Sequence, residues 1–358
     1  MVHKVALAFP LLGLSLLASA GPLDRRGAAP AAQSDMFDDM MSDVMGEFDG
    51  VLGEVTQLVK EILDGSKSAI DDFKDEKPAS CEGSKDKCCV WYDVSAELTK
   101  LFVGEDEQCN DNARGAVRMG FHDAGTWEKG STYGGADGSF LMDFGEQNRK
   151  ENNGLQNARK ILRSVQAKYK VGYADLVQYA HNHATISCPK GPRVRTFIGR
   201  KDATKANPVG LLPDTHDSPD NLLAMFERKG FSARDLAALV GAHATARQRF
   251  VDETPSGKDK FLDSTPGVWD VEFYNDTLNN PAGATQEQTV FVLPSDKALS
   301  THPSVSASWR LFVGNQIGWN IDYARAYMRM SMLGVQKEQM DRMIDCTKTL
   351  PATRPFFP

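Results

Sequence analysis

The sequence predicts a mainly α-helical protein built from two lobes. From Cys81 onward, apolar residues recur at helical spacing and runs of period two are scarce. Loops rich in Gly and Pro, such as STYGGADGS and KANPVGLLP, separate the helical segments. A helical body of about 270 residues is large for a single core, so two lobes are expected. Helices are predicted near residues 112–124, 155–169, 173–184, 219–228, 232–246, 305–329 and 336–346.

The first 26 residues have the pattern of a targeting segment. Residues 1–20, MVHKVALAFPLLGLSLLASA, contain an early lysine, a short apolar run and a small-residue end, so we predict a signal peptide cleaved after Ala20. Residues 21–26 end in Arg25-Arg26 and are either a pro-segment with a dibasic processing site or part of the mature chain. No apolar run reaches the ~20 residues of a membrane span. We therefore expect a secreted, extracellular protein that does not insert into membranes.

Net charge and cysteine content restrict the partners and the compartment. The chain of 358 residues has a net charge of -7, which argues against nucleic acid and anionic membranes as partners. An even set of six cysteines in an exported chain predicts three disulfides. None of the cysteines lies in a CxxC motif or a Cys/His cluster, so a zinc site is not expected. One bridge is expected to join the start of the domain to the region of Cys346. The NDT triplet at Asn275 is a candidate glycosylation site.

Residues 27–80 differ in composition from the rest of the chain, with few aromatic residues and no cysteine. Three roles stay open for this extension: a helix docked on the main body, a pro-segment, or a self-association helix through residues 35–63 of an otherwise monomeric protein. Its apolar residues step by four and three, which predicts an amphipathic helix or a coiled-coil seam formed by Phe37, Met41, Val44, Phe48, Val51, Val55, Leu58 and Ile62.

The stretch RMGFHDAGTW, residues 118–127, places a cation, an aromatic ring and an imidazole on one helix. Residues four apart lie on the same helix face, so Arg118 and His122 are expected to point at a common object. Asp123 follows at once and must point elsewhere. The stretch therefore predicts two sites back to back.

A second histidine, His243, follows a capping-box pattern and an apolar run, SARDLAALVGAH. It is expected to be buried, either as a core residue or as a ligand, because it shares a helix face with Leu236, Leu239 and Val240.

Two buried histidines on separate helices fit a haem between two lobes, with one imidazole on the iron and the other active in acid–base chemistry. The small residues Gly241 and Ala242 would let a flat cofactor approach the backbone. A zinc or non-haem iron site would need further ligands near each histidine, and Arg118 would repel a divalent cation.

The chain resembles the secreted haem peroxidases of the plant/fungal superfamily. The resemblance is based on an R-x-x-F-H-D stretch, a later G-A-H helix and the cysteine framework. The resemblance is greatest to the fungal class II group, in particular its generic ascomycete-like members, and HDAGTWEK is also similar to class I. It covers roughly Cys81 to Cys346. It implies a peroxidase domain at 81–358, two all-helical lobes with haem b between them, and the disulfides Cys81–Cys89, Cys88–Cys346 and Cys109–Cys188. The fourth disulfide usual in class II is missing.

The resemblance assigns the distal catalytic residues to Arg118, Phe121 and His122. His122 would move the protons of hydrogen peroxide, and Arg118 would stabilise the charge that develops as the O–O bond breaks. In the family an asparagine holds the imidazole, supported by a glutamate six residues earlier, and Asn152 and Glu146 match this spacing.

The resemblance assigns the axial iron ligand to His243 and its carboxylate partner to Asp296. From its position in LPSDKAL, Asp296 could instead be a helix N-cap.

Calcium is the metal that the resemblance implies, at one site and with less support at a second. The distal site would use Asp123, the Gly135 carbonyl, Asp137 and Ser139, an oxygen set that suits calcium. The family usually has Ser or Thr after the proximal histidine, so Ala244 leaves only a carbonyl there. The proximal site would use Ala244, Asp263, Thr265, Val268 and Asp270.

The residues that this chain has at the family's binding positions for reducing substrates indicate a generic peroxidase. The aligned manganese positions are Asp111, Gly115 and Arg249, which do not suit Mn²⁺, and the position of the family's surface tryptophan is Ala238. The expected donors are phenols or other small aromatics at the haem edge, bordered by Pro213. The alternative function is a secreted haem- and calcium-binding protein without turnover.

Overall fold

The computed structural model describes residues 52–285 and 287–355. Within these residues the chain forms twelve helices and one two-stranded antiparallel sheet, in which Phe197 pairs with Asp345. The predicted mainly helical class is confirmed. The elements are α1 (Glu54–Leu63), α2 (Cys89–Phe102), α3 (Asp111–Ala124), α4 (Gln156–Tyr169), α5 (Tyr173–Ser187), β1 (Phe197–Ile198), α6 (Pro219–Arg228), α7 (Ala233–Val240), α8 (Glu272–Asn279), α9 (Pro294–Thr301), α10 (Ser306–Phe312), α11 (Gln316–Met330), α12 (Lys337–Met340) and β2 (Ile344–Asp345).

The helices pack as two groups that share one apolar core. Helices α2–α5 pack against one another, most extensively α3 against α5, and α6–α11 form the second group around α7 and α11. Buried apolar side chains of both groups belong to a continuous cluster. Among the described residues, no helix is long and apolar enough to cross a membrane.

Helix α3 carries the distal residues and is built to lie close to α5. The side chain of Asn110 caps its first turn by accepting hydrogen bonds from two backbone amides. A Cβ atom at Gly120 would lie 2.6 Å from Cβ of His181 and 2.3 Å from the hydroxyl of Tyr327. Only glycine fits this position without displacing the two side chains.

Helix α7 begins at the predicted capping box, because Ser232 and Asp235 exchange both hydrogen bonds. The α-helix ends at Val240, and His243 lies in the 3-10 segment Gly241–Thr245 that follows. A Cβ atom at Gly241 would lie 2.3 Å from the hydroxyl of Tyr274 and 2.5 Å from Nε1 of Trp319. The prediction that Gly241 makes room for a cofactor is therefore wrong, because core aromatics occupy that space.

The other helix predictions differ from the structure mainly at their ends. The segment predicted at 305–329 is divided into α10 and α11 at Gly314, whose φ of 67° interrupts the helix. The segment predicted at 336–346 is one turn of helix followed by β2. Helices α2, α8 and α9 were not predicted; α8 and α9 have eight residues each, too few for a clear periodic pattern.

Helix α1 is the described part of the N-terminal extension, and it lies against the main body. Its apolar face joins a second buried cluster with α11, and Asp341 accepts hydrogen bonds from Gly53 N and Thr56 Oγ1. The first part of the predicted seam, Phe37 to Val51, lies outside the described residues. The buried contact is made by Val55, Val59, Ile62 and Leu63 with Ala324, Met328 and Met332.

Three disulfides close the main body, and they are the pairs that the resemblance implies. Cys81 pairs with Cys89, Cys88 with Cys346, and Cys109 with Cys188. Because the second of these spans 258 residues, it ties the start of the domain to its end.

Replacing Ile62 with alanine is expected to lower the free energy of unfolding by about 2–5 kcal/mol, because it removes buried methyl groups between α1 and the body. The control is Gln57→Ala on the exposed face of α1, with an expected change below about 0.5 kcal/mol. Urea unfolding followed by tryptophan fluorescence measures both variants. Equal values would mean that α1 does not dock on the body in solution.

Candidate active site

Arg118 and His122 contact each other on one face of α3, as their spacing predicts. The Arg118 Nε donates a hydrogen bond to Nε2 of His122 at 3.2 Å. The two Nη groups donate to the backbone carbonyls of Asn153 and Glu151, each at 2.8 Å. The guanidinium is therefore held in place by the chain segment that follows Glu146.

The tautomer of His122 follows from its two partners. Because Arg118 can only donate, Nε2 of His122 must accept, so the ring proton is on Nδ1. Nδ1 then donates to Oδ1 of Asn152 at 2.8 Å. Asn152 Nδ2 in turn donates to the backbone carbonyl of Glu146 at 2.9 Å, so Glu146 supports Asn152 through its main chain.

The Glu146 carboxylate is bound to two residues that the sequence did not single out. It accepts hydrogen bonds from the backbone N–H of Asn207 at 2.9 Å and from Nη1 of Arg149 at 3.3 Å. Asn207 Nδ2 also donates to Oγ1 of Thr126 at 2.7 Å and to Oδ1 of Asp137 at 3.0 Å. Asn207 thus joins the support of the distal histidine to the Asp137 loop. An asparagine before a proline in a loop carries no sequence signal for this role.

His243 lies on the other side of the site and is held by a buried carboxylate. Its Nδ1 is 2.9 Å from Oδ2 of Asp296, whose side chain is 2% exposed. Asp296 is in the first turn of α9, but the N-cap is Leu293, so the N-cap interpretation of Asp296 is wrong. With Nδ1 bound to Asp296, Nε2 is the nitrogen available to an iron.

The two imidazoles lie close enough for the charge of one to act on the other. The His243 side chain is 36% exposed rather than buried as expected, and Arg118 also retains exposed surface although it lies deep in the fold. Burial and the charge of Arg118 lower the pKa of His122 to about 3, with a further contribution from the charge of His243. Burial lowers the pKa of Arg118 to about 10, so it stays a cation at neutral pH.

This arrangement fits a haem. One wall offers an imidazole that a carboxylate orients, as axial iron ligands require, and the other offers a neutral imidazole and a cation. The Phe121 ring is half-buried on the distal wall, 5.9 Å from the ring of His122 and 6.1 Å from that of Phe226.

Behind α3, the buried carboxylate of Asp123 lies beside the half-buried carboxylate of Asp137 in the loop that follows the helix. Gly138 N donates to Asp123 at 3.0 Å, and Ser139 N donates to Asp137 at 3.1 Å. The Ser139 hydroxyl is buried and has no hydrogen-bond partner. Burial and the neighbouring Asp137 raise the pKa of Asp123 well above its usual value, and burial raises that of Asp137 to about 6. Two repelling carboxylates and a partnerless hydroxyl, with the Gly135 carbonyl in the same loop, fit an oxygen-ligated cation.

A second pair of buried carboxylates lies in the loop before α8. Oδ2 of Asp263 is buried and has no hydrogen-bond partner, and burial with the charge of Asp270 raises its pKa to about 8. Thr265 Oγ1 donates to both carboxylates. A hydrogen bond from Leu262 N to Ala246 O brings this loop beside Ala244, and Val268 is buried in it. The set also fits a cation, although no three His, Cys, Asp or Glu side chains of the described residues form one metal-binding group.

The aligned manganese positions lie together but have the wrong chemistry for that metal. Asp111 Oδ2 is 3.0 Å from Nη2 of Arg249 and 3.3 Å from Nη1 of Arg247. A Cβ atom at Gly115 would lie 2.8 Å from Cβ of Ala158, so no acidic side chain has room there.

Ala238, at the position aligned with the family's surface tryptophan, is fully buried. All five tryptophans of the chain are also buried, with exposed fractions of 6% or less. Pro213 is half-buried, and its neighbour Leu212 packs toward Gly125 at the end of α3.

Comparisons with known proteins agree with this site. The protein family described as Peroxidase matches residues 92–315. The chain is 32% identical over 282 residues to a low-redox potential peroxidase of Taiwanofungus camphoratus, covering 75% of this chain and 80% of that protein. It is 31% identical over 315 residues to Ligninase LG6 of Phanerodontia chrysosporium, covering 79% and 83%. Ligninase H2 of the same fungus is 32% identical over 297 residues, covering 76% and 78%.

The resemblance stated from the sequence is thereby confirmed over most of the chain. The chain belongs to the peroxidase family as a fungal class II haem peroxidase, an enzyme that uses hydrogen peroxide to oxidise aromatic compounds.

Proposed function

We propose that this protein is an extracellular peroxidase that binds haem b through His243 and oxidises phenols and similar small aromatics by one-electron steps at the haem edge. The observation that carries the proposal is the orientation of two neighbouring imidazoles through Nδ1, His122 by Asn152 and His243 by Asp296. Three disulfides support an oxidising compartment outside the cell.

The roles of the distal residues follow from their hydrogen bonds. The haem iron supplies the binding of hydrogen peroxide and its two-electron reduction. Nε2 of His122 would accept a proton from hydrogen peroxide and return it to the departing oxygen. Asn152 keeps the ring proton on Nδ1, so that Nε2 stays the basic atom. Arg118 stabilises the negative charge on the departing oxygen, because its cation is held beside Nε2 in a site of low dielectric.

The class of reducing substrate follows from the residues at the positions where family members bind manganese or use a surface tryptophan. Arg249 and Arg247 surround Asp111, which does not suit Mn²⁺, and Ala238 takes the place of a surface tryptophan. The haem edge, which the family resemblance places beside Pro213, then remains for small donors. The name of one similar protein, low-redox potential peroxidase, is consistent with this class of donor.

Calcium ions are proposed at both carboxylate pairs, first at Asp123 and Asp137 and second at Asp263 and Asp270. The partnerless Ser139 hydroxyl and the partnerless Asp263 oxygen support an oxygen-binding ion at each. At the second site, Lys190 Nζ lies 3.6 Å from Asp270, and this neighbouring cation weakens binding there.

The alternative, a haem- and calcium-binding protein without turnover, is disfavoured by the distal side. Haem binding alone would need His243 and Asp296. It would not need the hydrogen bonds that join Arg118 to His122 and His122 to Asn152 on the distal side.

His122→Leu is expected to slow the reaction with hydrogen peroxide by about 10²–10⁴-fold, because it removes the general base while the haem stays bound. Stopped-flow absorbance of the haem after one equivalent of peroxide measures the rate. The matched control is His216→Leu, an exposed histidine whose ring contacts Asp214 and Thr215 of its own loop, which should react like the unaltered protein. A normal rate in His122→Leu would refute the base assignment, and no response in the unaltered protein would favour the alternative without turnover.

A phenol and its methyl ether separate the donor classes. We expect 2-methoxyphenol to be oxidised and 1,2-dimethoxybenzene and Mn²⁺ to be left unchanged, because the ether and the metal need a stronger oxidant or a carboxylate site. Absorbance of the products under steady peroxide supply measures all three. Oxidation of Mn²⁺ would contradict the Arg249 argument, and oxidation of the ether would contradict the absence of a high-potential route.

Removal of calcium is expected to make stability fall as pH rises. In the cation-free fold, Asp137 keeps its proton to a pKa of about 6 and Asp263 to about 8, whereas unfolded carboxyls ionise near 3.8. Between these values the folded state binds more protons, so the free energy of unfolding decreases with pH. Thermal unfolding with a chelator, from pH 4 to 8, should show this decline, and calcium should remove it. Asp137→Asn should remove the lower part of the decline, and a flat profile for the chelated protein would refute the two sites.

A further inference from the structure

A continuous set of aromatic rings runs through the core from His243 to the back of α3. We call this set the aromatic chain. All its members other than the half-buried His243 are buried. It consists of His243, Phe273, Tyr274, Trp309, Trp319, Trp269, Tyr323, Tyr327 and His181.

At the proximal end, the chain of rings begins at His243 itself. The Phe273 ring meets the His243 ring edge-on at 5.8 Å, and Tyr274 follows Phe273 at 5.5 Å. Tyr274 contacts Trp319 at 5.9 Å. These contacts are close because Gly241 has no side chain, and its place is taken by Tyr274 and Trp319.

In the middle of the aromatic chain, two indoles are stacked, and one of them also contacts a tyrosine. Trp319 and Trp269 have a centroid distance of 4.9 Å and an interplanar angle of 9°. Trp269 meets Tyr323 at 4.6 Å, edge to face. Tyrosine and tryptophan lose one electron more easily than aliphatic side chains, so each contact is a short step for electron transfer.

Tyr323 ends this path with a hydrogen bond to a base. Its hydroxyl is 2.9 Å from Nε2 of His181. His181 Nδ1 is 2.7 Å from the Val117 carbonyl, which can only accept, so Nδ1 has the proton and Nε2 accepts from the phenol. Burial also lowers the pKa of His181 to about 3, so the ring is neutral at rest.

A proton that arrives on His181 would be stabilised from two sides. The Nδ1–H group already donates to the Val117 carbonyl. The imidazole is also stacked on the Tyr327 ring, with a centroid distance of 3.3 Å and an interplanar angle of 3°, and a cation over an aromatic face is attracted to it. Gly120 permits this close approach, because a side chain there would overlap His181 and Tyr327.

The other tyrosines of the aromatic chain lack such a base. The Tyr274 hydroxyl donates to the Ala237 carbonyl at 2.9 Å, and the Tyr327 hydroxyl donates to Oε1 of Gln178 at 2.8 Å. Neither acceptor can take a proton at neutral pH. An oxidised phenol is a strong acid, so an oxidising equivalent in this core is held best where the phenol proton has a nitrogen acceptor.

We infer that Tyr323 and His181 form an internal redox site, which gives one electron through the aromatic chain to the oxidised haem when no aromatic donor is present. The inference rests on the proposed binding of haem by His243. Hydrogen peroxide removes two electrons from the enzyme, and each donor returns one. Tyr323 loses one electron toward the haem and its hydroxyl proton to Nε2 of His181, which leaves a neutral tyrosyl radical beside an imidazolium. A later donor electron and the same proton restore the phenol.

Electron paramagnetic resonance of the haem-loaded protein tests this inference. Samples are frozen shortly after one equivalent of hydrogen peroxide is added without donor. We expect a tyrosyl radical signal that changes when the protein is produced with ring-deuterated tyrosine. The signal should be lost in Tyr323→Phe and kept in Tyr327→Phe, the matched control, which is buried in the same stack. No tyrosyl signal in the unaltered protein, or loss in Tyr327→Phe only, would overturn the inference.

Two further measurements cover the case in which Tyr323→Phe does not fold. Electron–nuclear double resonance of the unaltered protein in D₂O should show one exchangeable deuteron hydrogen-bonded to the radical, and its absence would exclude His181 as the proton acceptor. The haem absorbance should change on peroxide addition and recover with a phenol. If it does not change, the proposed peroxidase function fails; if it changes without a tyrosyl signal, only the internal redox site fails.

Discussion

A hydrogen bond from Nδ1 orients each of the two imidazoles of the site, and the proposed chemistry depends on these two bonds. Asn152 holds His122 so that Nε2 is the basic atom, and Asp296 holds His243 so that Nε2 is available to iron. If either ring turned over, a proton would occupy the reactive nitrogen. The surrounding fold serves to keep the amide and the carboxylate at these positions.

On the distal side, the hydrogen bonds extend from His122 to the half-buried carboxylate of Asp137. Asn152 is bound to the Glu146 carbonyl, the Glu146 side chain to Asn207, and Asn207 to Asp137. The repulsion between Asp137 and Asp123 would destabilise this arrangement in the absence of a cation. The acid–base chemistry proposed for one face of α3 and the ion binding proposed behind it are therefore linked by one hydrogen-bond network.

The glycines of the two functional segments have a shared role in the core. Gly120 and Gly241 each leave space that aromatic side chains occupy, on the backbones that carry His122 and His243. Aromatic packing is a source of stability by itself, because such pairs contribute roughly 0.5–1.5 kcal/mol beyond burial. The bond between Tyr323 and His181 adds a chemical property that packing does not require, a phenol with a base for its proton.

The sequence by itself determined the helical class, the export signal as an expectation, and the shared face of Arg118 and His122, because spacing along a helix is local geometry. It indicated His243 through the family motif, but not its place in a 3-10 segment or its exposure. The family motifs also indicated Asn152 and Asp296. Only the tertiary structure decided that the Glu146 main chain supports Asn152, that Asn207 links two sites, and that Gly241 faces aromatic rings rather than a cofactor. These are contacts between elements distant in sequence, and their partners are selected by how the helices pack rather than by any local pattern.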